Sequence, residues 1–227
     1  MCHVAVIEFF IELVGPSEFH GKRVLEVGSK YVNGSIRPLV ERFFKPKEYL
    51  GIDIEPGKFV DMVLPAEEIV KYFGEESFDI IISTELLEHV SSWRVVINNI
   101  KAALKRGGYV YITTRSYGFP RHGYPYDFWR YETDDIIKVF SDFDIIALTK
   151  DHEAPGAFLK ARKPLAYTPT DLSNIAIYSI VLGKRTFDIP SMRDMPFAKR
   201  LMLKVSSSKA SQLLQEALRT SQHYWKY

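Results

Sequence analysis

Acidic side chains and a glycine stand near the ends of two segments that have the pattern of neighbouring strands. Residues 22–28 read KRVLEVG, with Glu26 before the closing Gly28, and residues 48–54 read EYLGIDI, with Asp53 near the end. A carboxylate can accept hydrogen bonds from two hydroxyl groups at once, which suits the adjacent hydroxyls of a ribose. Glycine lets the backbone approach a ligand closely. The two segments therefore predict a nucleoside-type ligand at their carboxyl ends.

The loop after the first strand does not follow the glycine pattern of a dinucleotide site. Such a site uses G-x-G-x-x-G, whereas residues 28–34 read GSKYVNG. A pyrophosphate needs closely packed glycines and the N–H groups at the start of a helix. This sequence therefore disfavours a nicotinamide-dependent oxidoreductase. The stretch is either a cofactor loop with unusual residues or a strand and turn that only resemble one.

Strands alternate with helices through residue 114, which is typical of a parallel, doubly wound sheet. We predict an α/β, Rossmann-like, mostly parallel seven-stranded sheet with helices on both faces and one antiparallel strand near the C-terminal end. The predicted strands are 22–28, 48–54, 58–63, 77–84, 109–114, 143–150 and 174–183. The predicted helices are 1–16, 35–44, 66–73, 92–108 and 132–140.

One domain over 1–183 accounts for these elements, with 151–173 as a connector and 184–227 as a basic extension. Residues 184–209 carry a net charge of +5, against +2 for the whole chain. Such a segment is either a solvated face or a contact for a phosphate-bearing partner, including nucleic acid. An amphipathic helix at 211–225 is a candidate contact for a homodimer.

The composition excludes several classes of protein. Cys2 is the single cysteine, so neither an internal disulfide nor a thiolate zinc site can form, and we expect no metal. No apolar run reaches the roughly 18 residues of a membrane span. The apolar start of the chain has acidic residues and no basic leader, so we expect a cytoplasmic protein without membrane contact.

Four landmarks in order give a more specific indication. VLEVG, YLGIDI, FDIIISTELLEHV and LKRGGYVYITT, within about residues 20–150, resemble the class I S-adenosylmethionine-dependent methyltransferases, in particular their type 11-like branch. The resemblance implies S-adenosyl-L-methionine as cofactor and transfer of its methyl group as the activity. It also explains the glycine pattern, because this cofactor has no phosphate.

The resemblance implies a cofactor role for each matching residue. Glu26 would support the methionine amino end, Gly28 and Ser29 would pass close to the cofactor, and Asp53 would bind the ribose hydroxyls. Many members carry an acid after strand three for the adenine, but Pro65 stands there in this chain. The other implied contacts are Ile54 against the adenine, Ala66 or Glu67 in place of the missing acid, and Thr84 and Glu85 on the methionine side.

The methyl acceptor is expected to meet the loop over 116–131, SYGFPRHGYPYDFWRY, which follows the fifth strand. Its Gly, Pro and aromatic content suits a shaped lid over a flat or sugar-like molecule. We predict His122 as a general base and Asp127 as a further catalytic residue. The expected substrate contacts are Tyr124, Tyr126, Trp129 and Arg130. The alternative is that Phe128 and Trp129 anchor the loop in the core while Arg130 pairs with Asp127.

The sequence favours a small-molecule or carbohydrate-like acceptor. Methylation of amino groups in DNA usually accompanies an Asn/Asp-Pro-Pro-aromatic tetrad, and STEL stands in its place here. Cytosine carbon-5 methylation needs a cysteine nucleophile, and Cys2 is at the wrong end of the chain. Methylation of RNA or protein, and a catalytically degenerate binding subunit, stay open as alternatives.

Overall fold

A seven-stranded sheet forms the centre of the computed structural model, which describes residues 3–15, 17–123 and 125–189, together with residues 201 and 205. The strands of the chain are β1 Arg23–Val27, β2 Glu48–Asp53, β3 Met62–Val63, β4 Phe78–Thr84, β5 Leu104–Arg115, β6 Trp129–Arg130, β7 Asp144–Lys150, β8 Gly156–Arg162, β9 Ile177–Ser179 and β10 Lys184–Thr186. The large sheet has the order β3-β2-β1-β4-β5-β8-β7. In this sheet β8 runs antiparallel to both β5 and β7, and the other neighbouring strands pair in parallel.

Helices cover both faces of the sheet. They are α1 Val4–Leu13, α2 Arg37–Leu39, α3 Ile69–Phe73, α4 Trp93–Ala103 and α5 Thr133–Val139. A π-helical turn over Val40–Phe44 extends α2, and 3₁₀ turns occupy Ala66–Glu68 and Leu87–His89. One face packs Val24, Ile80 and Tyr111 with Phe10 of α1, and the opposite face packs a larger set of apolar side chains. The predicted doubly wound α/β fold is therefore confirmed.

The antiparallel strand of the large sheet lies in a segment that was not predicted as a strand. It is β8, which lies inside the predicted connector 151–173 and inserts between β5 and β7. The pattern of β8, GAFLKAR, contains two alanines and a lysine, which strands usually avoid. Lys160 is buried because its Nζ donates to the Leu13 carbonyl at 2.7 Å and to Glu18 at 2.6 Å.

Residues 174–183 contribute instead to a second, three-stranded sheet. In it β9 pairs antiparallel with β6 and with β10. Because β6 belongs to the 116–131 loop, this small sheet holds the end of that loop in place.

Several element ends also differ from the predicted ones. The predicted helix 92–108 ends at Ala103, and β5 already begins at Leu104. Lys163 is the physical reason, since its buried ammonium donates to the carbonyls of Lys101 and Leu104 at 2.8 and 2.6 Å and satisfies the helix end. The predicted third strand shortens to two residues.

The described part of the chain contains no helix with both the length and the hydrophobicity that a bilayer span requires. The predicted helix at 211–225 lies outside the described residues.

The buried position of Lys160 gives a stability test. Lys160→Met leaves the Glu18 carboxylate buried without its cation, and we expect a loss of about 3 kcal/mol in the free energy of unfolding. Arg162→Met is the matched control on the same strand, where the side chain is exposed, and its loss should stay below about 1 kcal/mol. Urea unfolding measures both. Equal losses in the two variants would contradict the inward position of Lys160 on β8.

Candidate active site

The carboxyl ends of β1, β2, β4 and β5 lie side by side at one edge of the sheet, as the strand order requires. Gly28 follows β1 with a φ of +81°, a left-handed conformation that glycine adopts without strain. A Cβ at this position would lie 3.0 Å from Leu86 Cδ1. Both the backbone conformation and the close approach therefore require glycine here.

Asp53 ends β2 with its carboxylate held in a fixed orientation. Oδ2 accepts a hydrogen bond from the backbone N–H of Lys30 at 3.1 Å, and Oδ1 accepts one from the N–H of Glu55 at 3.2 Å. A carboxylate has about four acceptor positions, so each oxygen keeps one for a further donor. Ile54, directly after it, is largely exposed and offers an apolar surface beside this acid.

The bulky segment after Gly28 docks onto the connection between β2 and β3. The Lys30 ammonium pairs with Glu55 at 2.5 Å. The Tyr31 ring packs edge-on against Phe59 with centroids 5.7 Å apart, and Lys58 lies over the Tyr31 ring at 4.5 Å. The segment after Gly28 is therefore held against residues 55–59 at this edge of the sheet.

Ser29 turns its side chain away from the edge. Its buried Oγ has no hydrogen-bond partner among the described residues. It packs against Gly51, where a Cβ would come within 2.6 Å of it. Only the backbone of Ser29 is therefore available at the surface of the loop.

Glu26 is fully buried, two residues before Gly28. The Tyr49 hydroxyl donates to its Oε2 at 2.9 Å. Burial raises the pKa of Glu26 to about 7, although the Tyr49 hydrogen bond and the charge of Arg37 oppose this shift. Near neutral pH the side chain is therefore divided between its neutral and ionised forms, and a nearby cation would favour the ionised one.

The segment after β3 holds Ala66 and Glu67. Ala66 is buried, and the Glu67 carboxylate accepts a hydrogen bond from the Ser92 hydroxyl at the start of α4. The Glu67 carbonyl accepts a further bond from the Asn99 amide at 3.0 Å. Glu67 thus joins the turn after β3 to α4.

Thr84 ends β4 at the same edge and Glu85 follows it, and both residues are buried. Glu85 has a φ of +54°, which is unusual for a residue other than glycine. Its carboxylate pairs with Arg115, which in turn pairs with Asp151 at 3.0 Å, and Asp151 also bonds to His3 at 2.7 Å. Burial and the neighbouring charge of Glu88 raise the pKa of Glu85 to about 7.

A carboxylate and two imidazoles meet where β4 and the 116–131 loop come together. Glu88, His89 and His122 each offer one ligand atom, and these atoms all lie within 4.8 Å of one another. The two rings meet edge-on with centroids 4.6 Å apart. Burial lowers the pKa of His89, which favours its neutral form. The sequence-based expectation of no metal considered thiolate ligands and did not foresee this cluster.

A buried ion pair fixes the shape of the 116–131 loop. Both oxygens of Asp127 accept from the Arg130 guanidinium, at 2.6 and 2.9 Å, and Arg130 also donates to the Pro120 carbonyl at 3.0 Å. The Arg130 interaction and a contact with His122 hold the pKa of Asp127 well below its usual range despite burial. The His122 backbone N–H donates to the same carboxylate at 2.7 Å.

The aromatic residues of this loop divide into buried and exposed ones. Trp129 was expected to contact the acceptor but is fully buried, and its Nε1 donates to the Val90 carbonyl at 2.9 Å. Arg130 was expected in the same role and is also buried, in the ion pair with Asp127. Tyr126 is 55% exposed and Tyr117 is 63% exposed. Tyr124 lies outside the described residues.

Sequence reasoning missed the partners that orient the predicted acids. Tyr49 bonds to Glu26, and Arg115 with Asp151 supports Glu85. These partners stand between 23 and 36 residues away from the groups they contact, so no local pattern signals them. The position of Arg115 at the end of the predicted fifth strand was the one available indication.

A cavity of about 120 Å³ lies at the opposite, amino-terminal edge of the sheet. Its lining includes the charged side chains of Glu18, Lys22, Asp79, Lys105 and Arg106. None of the predicted site residues lines it, so this cavity is separate from the edge described above.

The sequence profile of a methyltransferase domain family matches residues 5–152, more than half of the chain. The chain belongs to this family. Its fold is that of the S-adenosylmethionine-dependent methyltransferases, and S-adenosylmethionine is their cofactor. A search of curated proteins gives no match.

Solved structures share the methyltransferase fold at low sequence identity. An S-adenosylmethionine-dependent methyltransferase from Mesorhizobium loti superposes with a TM-score of 0.55 at 14% identity, over 70% of this chain and 98% of the other. The 1,6-didemethyltoxoflavin-N1-methyltransferase of Burkholderia thailandensis, solved with bound S-adenosylhomocysteine, gives 0.53 at 15%, over 70% and 76%. An Aquifex aeolicus methyltransferase gives 0.51 at 17%, over 68% and 88%.

The residues at the carboxyl edge fit the methyltransferase cofactor. Asp53 keeps acceptor positions for two hydroxyls, and its orientation is already fixed by two backbone N–H groups. Gly28 provides a left-handed turn, at which the backbone can approach a ligand closely. The buried Glu85 Oε1 lacks a hydrogen-bond partner among the described residues, so this edge holds unused acceptor capacity.

The raised pKa of Glu26 predicts a pH-dependent contribution to stability. Between about pH 4.5 and 7 the folded protein keeps a proton that the unfolded chain has released, so this contribution is full below pH 4.5 and is lost as the pH rises through 7. A shift of this size corresponds to about 3 kcal/mol. Relative to the wild type, Glu26→Gln should therefore gain up to about 3 kcal/mol between pH 4.5 and 8.

Urea unfolding over this pH range measures the difference between the two proteins. Glu12→Gln, on the exposed side of α1, is the control and should follow the wild type at every pH. A difference between wild type and Glu26→Gln that stays constant with pH would contradict the assignment.

Proposed function

We propose that this protein is an S-adenosylmethionine-dependent methyltransferase that acts on a small-molecule or carbohydrate-like acceptor. The observation that carries the proposal is the Asp53 carboxylate, oriented by two backbone N–H groups beside the left-handed turn at Gly28. When bound, the cofactor supplies a methyl group activated by a sulfonium centre. A cytoplasmic location stays a prediction from the sequence.

The residues near the ends of β1 and β2 each have one role in binding the cofactor. Asp53 accepts hydrogen bonds from the ribose hydroxyls, and Ile54 offers its exposed side chain to the adenine. Gly28 and the Ser29 backbone border the cofactor. Glu26 contributes negative charge behind the loop, where a cationic amino group would favour its ionised form.

Further residues of the cofactor site lie around the ends of β3 and β4. We assign Ala66 to the adenine rim and the backbone of Thr84 to the methionine side. Glu85, held by Arg115, faces the same end with an oxygen that has no partner among the described residues. Glu67 is bonded to Ser92, and we assign it the role of fixing the turn that carries Ala66.

The acceptor half lies along the 116–131 loop. The exposed rings of Tyr117 and Tyr126 give flat apolar surfaces of the kind that pack against a sugar or a planar molecule. His122 is our candidate for the group that removes a proton from a hydroxyl acceptor. Asp127 and Arg130 act as positioning residues, because their buried ion pair holds the backbone of His122.

Positioning supplies much of the rate in such a reaction. Methyl transfer is an in-line displacement, so it gains chiefly from holding the two reacting molecules in a fixed relative orientation. The fixed loop, anchored by Trp129 and the second sheet, is suited to this task.

A catalytically degenerate binding subunit is the second candidate. The segment after Gly28 extends onto the β2–β3 connection, and Pro65 stands where many relatives carry an acid. Both features would weaken cofactor binding. Calorimetric titration of the purified chain with S-adenosylhomocysteine, beside NAD, separates the candidates. Micromolar binding of the first alone supports the methyltransferase, and binding of neither supports the degenerate subunit.

Asp53→Ala tests the ribose contact. It removes two hydrogen bonds to a charged group, and we expect the affinity for S-adenosylhomocysteine to fall by about 100-fold or more. Glu55→Ala is the matched control, because Glu55 is exposed, pairs with Lys30 and keeps its backbone N–H. Its affinity should change by less than about threefold. Equal effects of the two substitutions would refute the assignment.

The acceptor class is tested by transfer of a labelled methyl group. Purified protein is incubated with labelled cofactor and three separate acceptor pools: hydroxylated small molecules and sugars, RNA, and protein. Label in the first pool supports the proposal. Label only in RNA or protein would move the acceptor to those classes.

A further inference from the structure

We propose that Glu88, His89 and His122 form a binding site for one divalent transition-metal cation, of which Zn²⁺ is the reference. The cluster combines one carboxylate from the segment after β4 with one imidazole from the same segment and one from the 116–131 loop. This donor set stands independently of the methyltransferase proposal. Only the role of the cation in binding a methyl acceptor rests on that proposed function.

The distances suit a shared ligand with small side-chain adjustments. His89 Nε2 lies 3.9 Å from Glu88 Oε1, and the three ligand atoms are within 4.8 Å of one another. Two atoms bound to one cation at about 2.0–2.2 Å are themselves roughly 3–3.5 Å apart. Movements of about 1 Å in the side chains therefore bring the cluster to a coordinating geometry.

Glu88 provides an independent indication that a ligand belongs here. Its side chain is fully buried, and Oε2 accepts a hydrogen bond from the Thr114 hydroxyl at 2.9 Å. Oε1 is also buried but has no hydrogen-bond partner among the described residues. A buried carboxylate oxygen without a partner carries a substantial free-energy cost, which a bound cation would remove.

The second nitrogen of each histidine is held as in a metal-binding imidazole. His89 Nδ1 bonds to the Tyr126 carbonyl. His122 Nδ1 lies 3.4 Å from the Asp127 carboxylate and 3.4 Å from the Pro120 carbonyl. Metal-binding histidines commonly donate their other N–H to a carbonyl or carboxylate, which leaves Nε2 unprotonated for the cation.

The loop backbone is shaped to bring the two rings together. Gly123 follows His122 with a φ of +64°, and a Cβ there would lie 3.0 Å from His89 Cε1. A side chain at this position would therefore be strained and would push the His89 ring out of the cluster. The buried pair of Asp127 and Arg130 holds the same turn from the other side.

The donor set also selects the kind of cation. Two imidazoles and one carboxylate suit Zn²⁺, Co²⁺ or Fe²⁺, whereas Mg²⁺ prefers oxygen ligands. Three protein ligands leave at least one coordination position open, as in catalytic zinc sites. A hydroxyl group bound at this position ionises at a lower pH than it does free in water. The cation would therefore recognise an acceptor through a hydroxyl oxygen. With the cation bound, His122 is a ligand and no longer acts as the base, because coordination itself favours ionisation of the bound hydroxyl.

The test is metal binding by the full-length chain after treatment with a chelator and dialysis. Calorimetric titration with Zn²⁺ should show one site per chain with a dissociation constant in the micromolar range or below, and Mg²⁺ should show none. His89→Ala and His122→Ala should each weaken Zn²⁺ binding at least about 30-fold, since each removes one of three ligands. Glu88→Gln keeps the shape of the side chain and should also weaken binding.

Two controls make the result specific. His152→Ala removes an exposed histidine that lies far from the cluster in the chain and pairs with Glu8 on α1, and it should bind Zn²⁺ as the wild type does. Co²⁺ provides a second readout, because its visible absorption changes on imidazole binding and should be lost in His89→Ala and His122→Ala.

The outcomes distinguish this proposal from the proposed function. Lack of Zn²⁺ binding, or equal binding by the wild type and both histidine variants, would overturn the metal site even if S-adenosylhomocysteine binds. Zn²⁺ binding at the cluster together with no binding of S-adenosylhomocysteine would support the metal site and refute the methyltransferase. The loss of Zn²⁺ binding in a histidine variant counts only if the variant keeps the urea unfolding midpoint of the wild type. Where a histidine variant is destabilised, Glu88→Gln takes its place: weaker Zn²⁺ binding than in the wild type supports the metal site, and equal binding overturns it.

Discussion

The burial of negative charge at one edge of a parallel sheet is the constraint on which this structure depends. Parallel strands bring their carboxyl ends together. Here Glu26 lies near the end of β1, Glu85 and Glu88 follow the adjacent β4, and all three are buried. An isolated buried carboxylate is too unfavourable to persist without partners. The surrounding side chains are therefore arranged around these three groups.

Each acid meets the constraint in a different way. Glu26 has one neutral donor, Tyr49, and reaches neutrality partly by holding a proton near pH 7. Glu85 has a full cationic partner in Arg115, whose position depends on Asp151. Glu88 has a hydroxyl on one oxygen and faces two imidazoles with the other. This edge of the sheet therefore carries three buried acids in different states. Glu26 holds a proton near pH 7, Glu85 is ion-paired, and Glu88 is assigned to a cation.

The sequence predicts the parallel half of the sheet well because those strands are buried on both faces. The continuous apolar run of β4 and the branched residues of β1 have few alternative structures. β8 could not be predicted, since the burial of its Lys160 depends on Leu13 and Glu18, which lie 147 and 142 residues away in the chain. In the site, by contrast, the sequence does indicate Asp53, by its place at the end of a strand. The grouping of His122 with Glu88 depends on the path of the 116–131 loop, which no local pattern specifies.

The insertion of β8 has a consequence for how the chain reaches its native state. The match to the family profile ends at residue 152, before this strand begins at Gly156. Until β8 is in place, the facing edges of β5 and β7 have unpaired N–H and C=O groups along their whole length, and such edges readily pair with other chains. During synthesis, the chain must therefore leave the ribosome through Arg162, beyond the end of the profile match, before β8 can pair with β5 and β7. Chains cut at the profile's own boundary would be prone to aggregate.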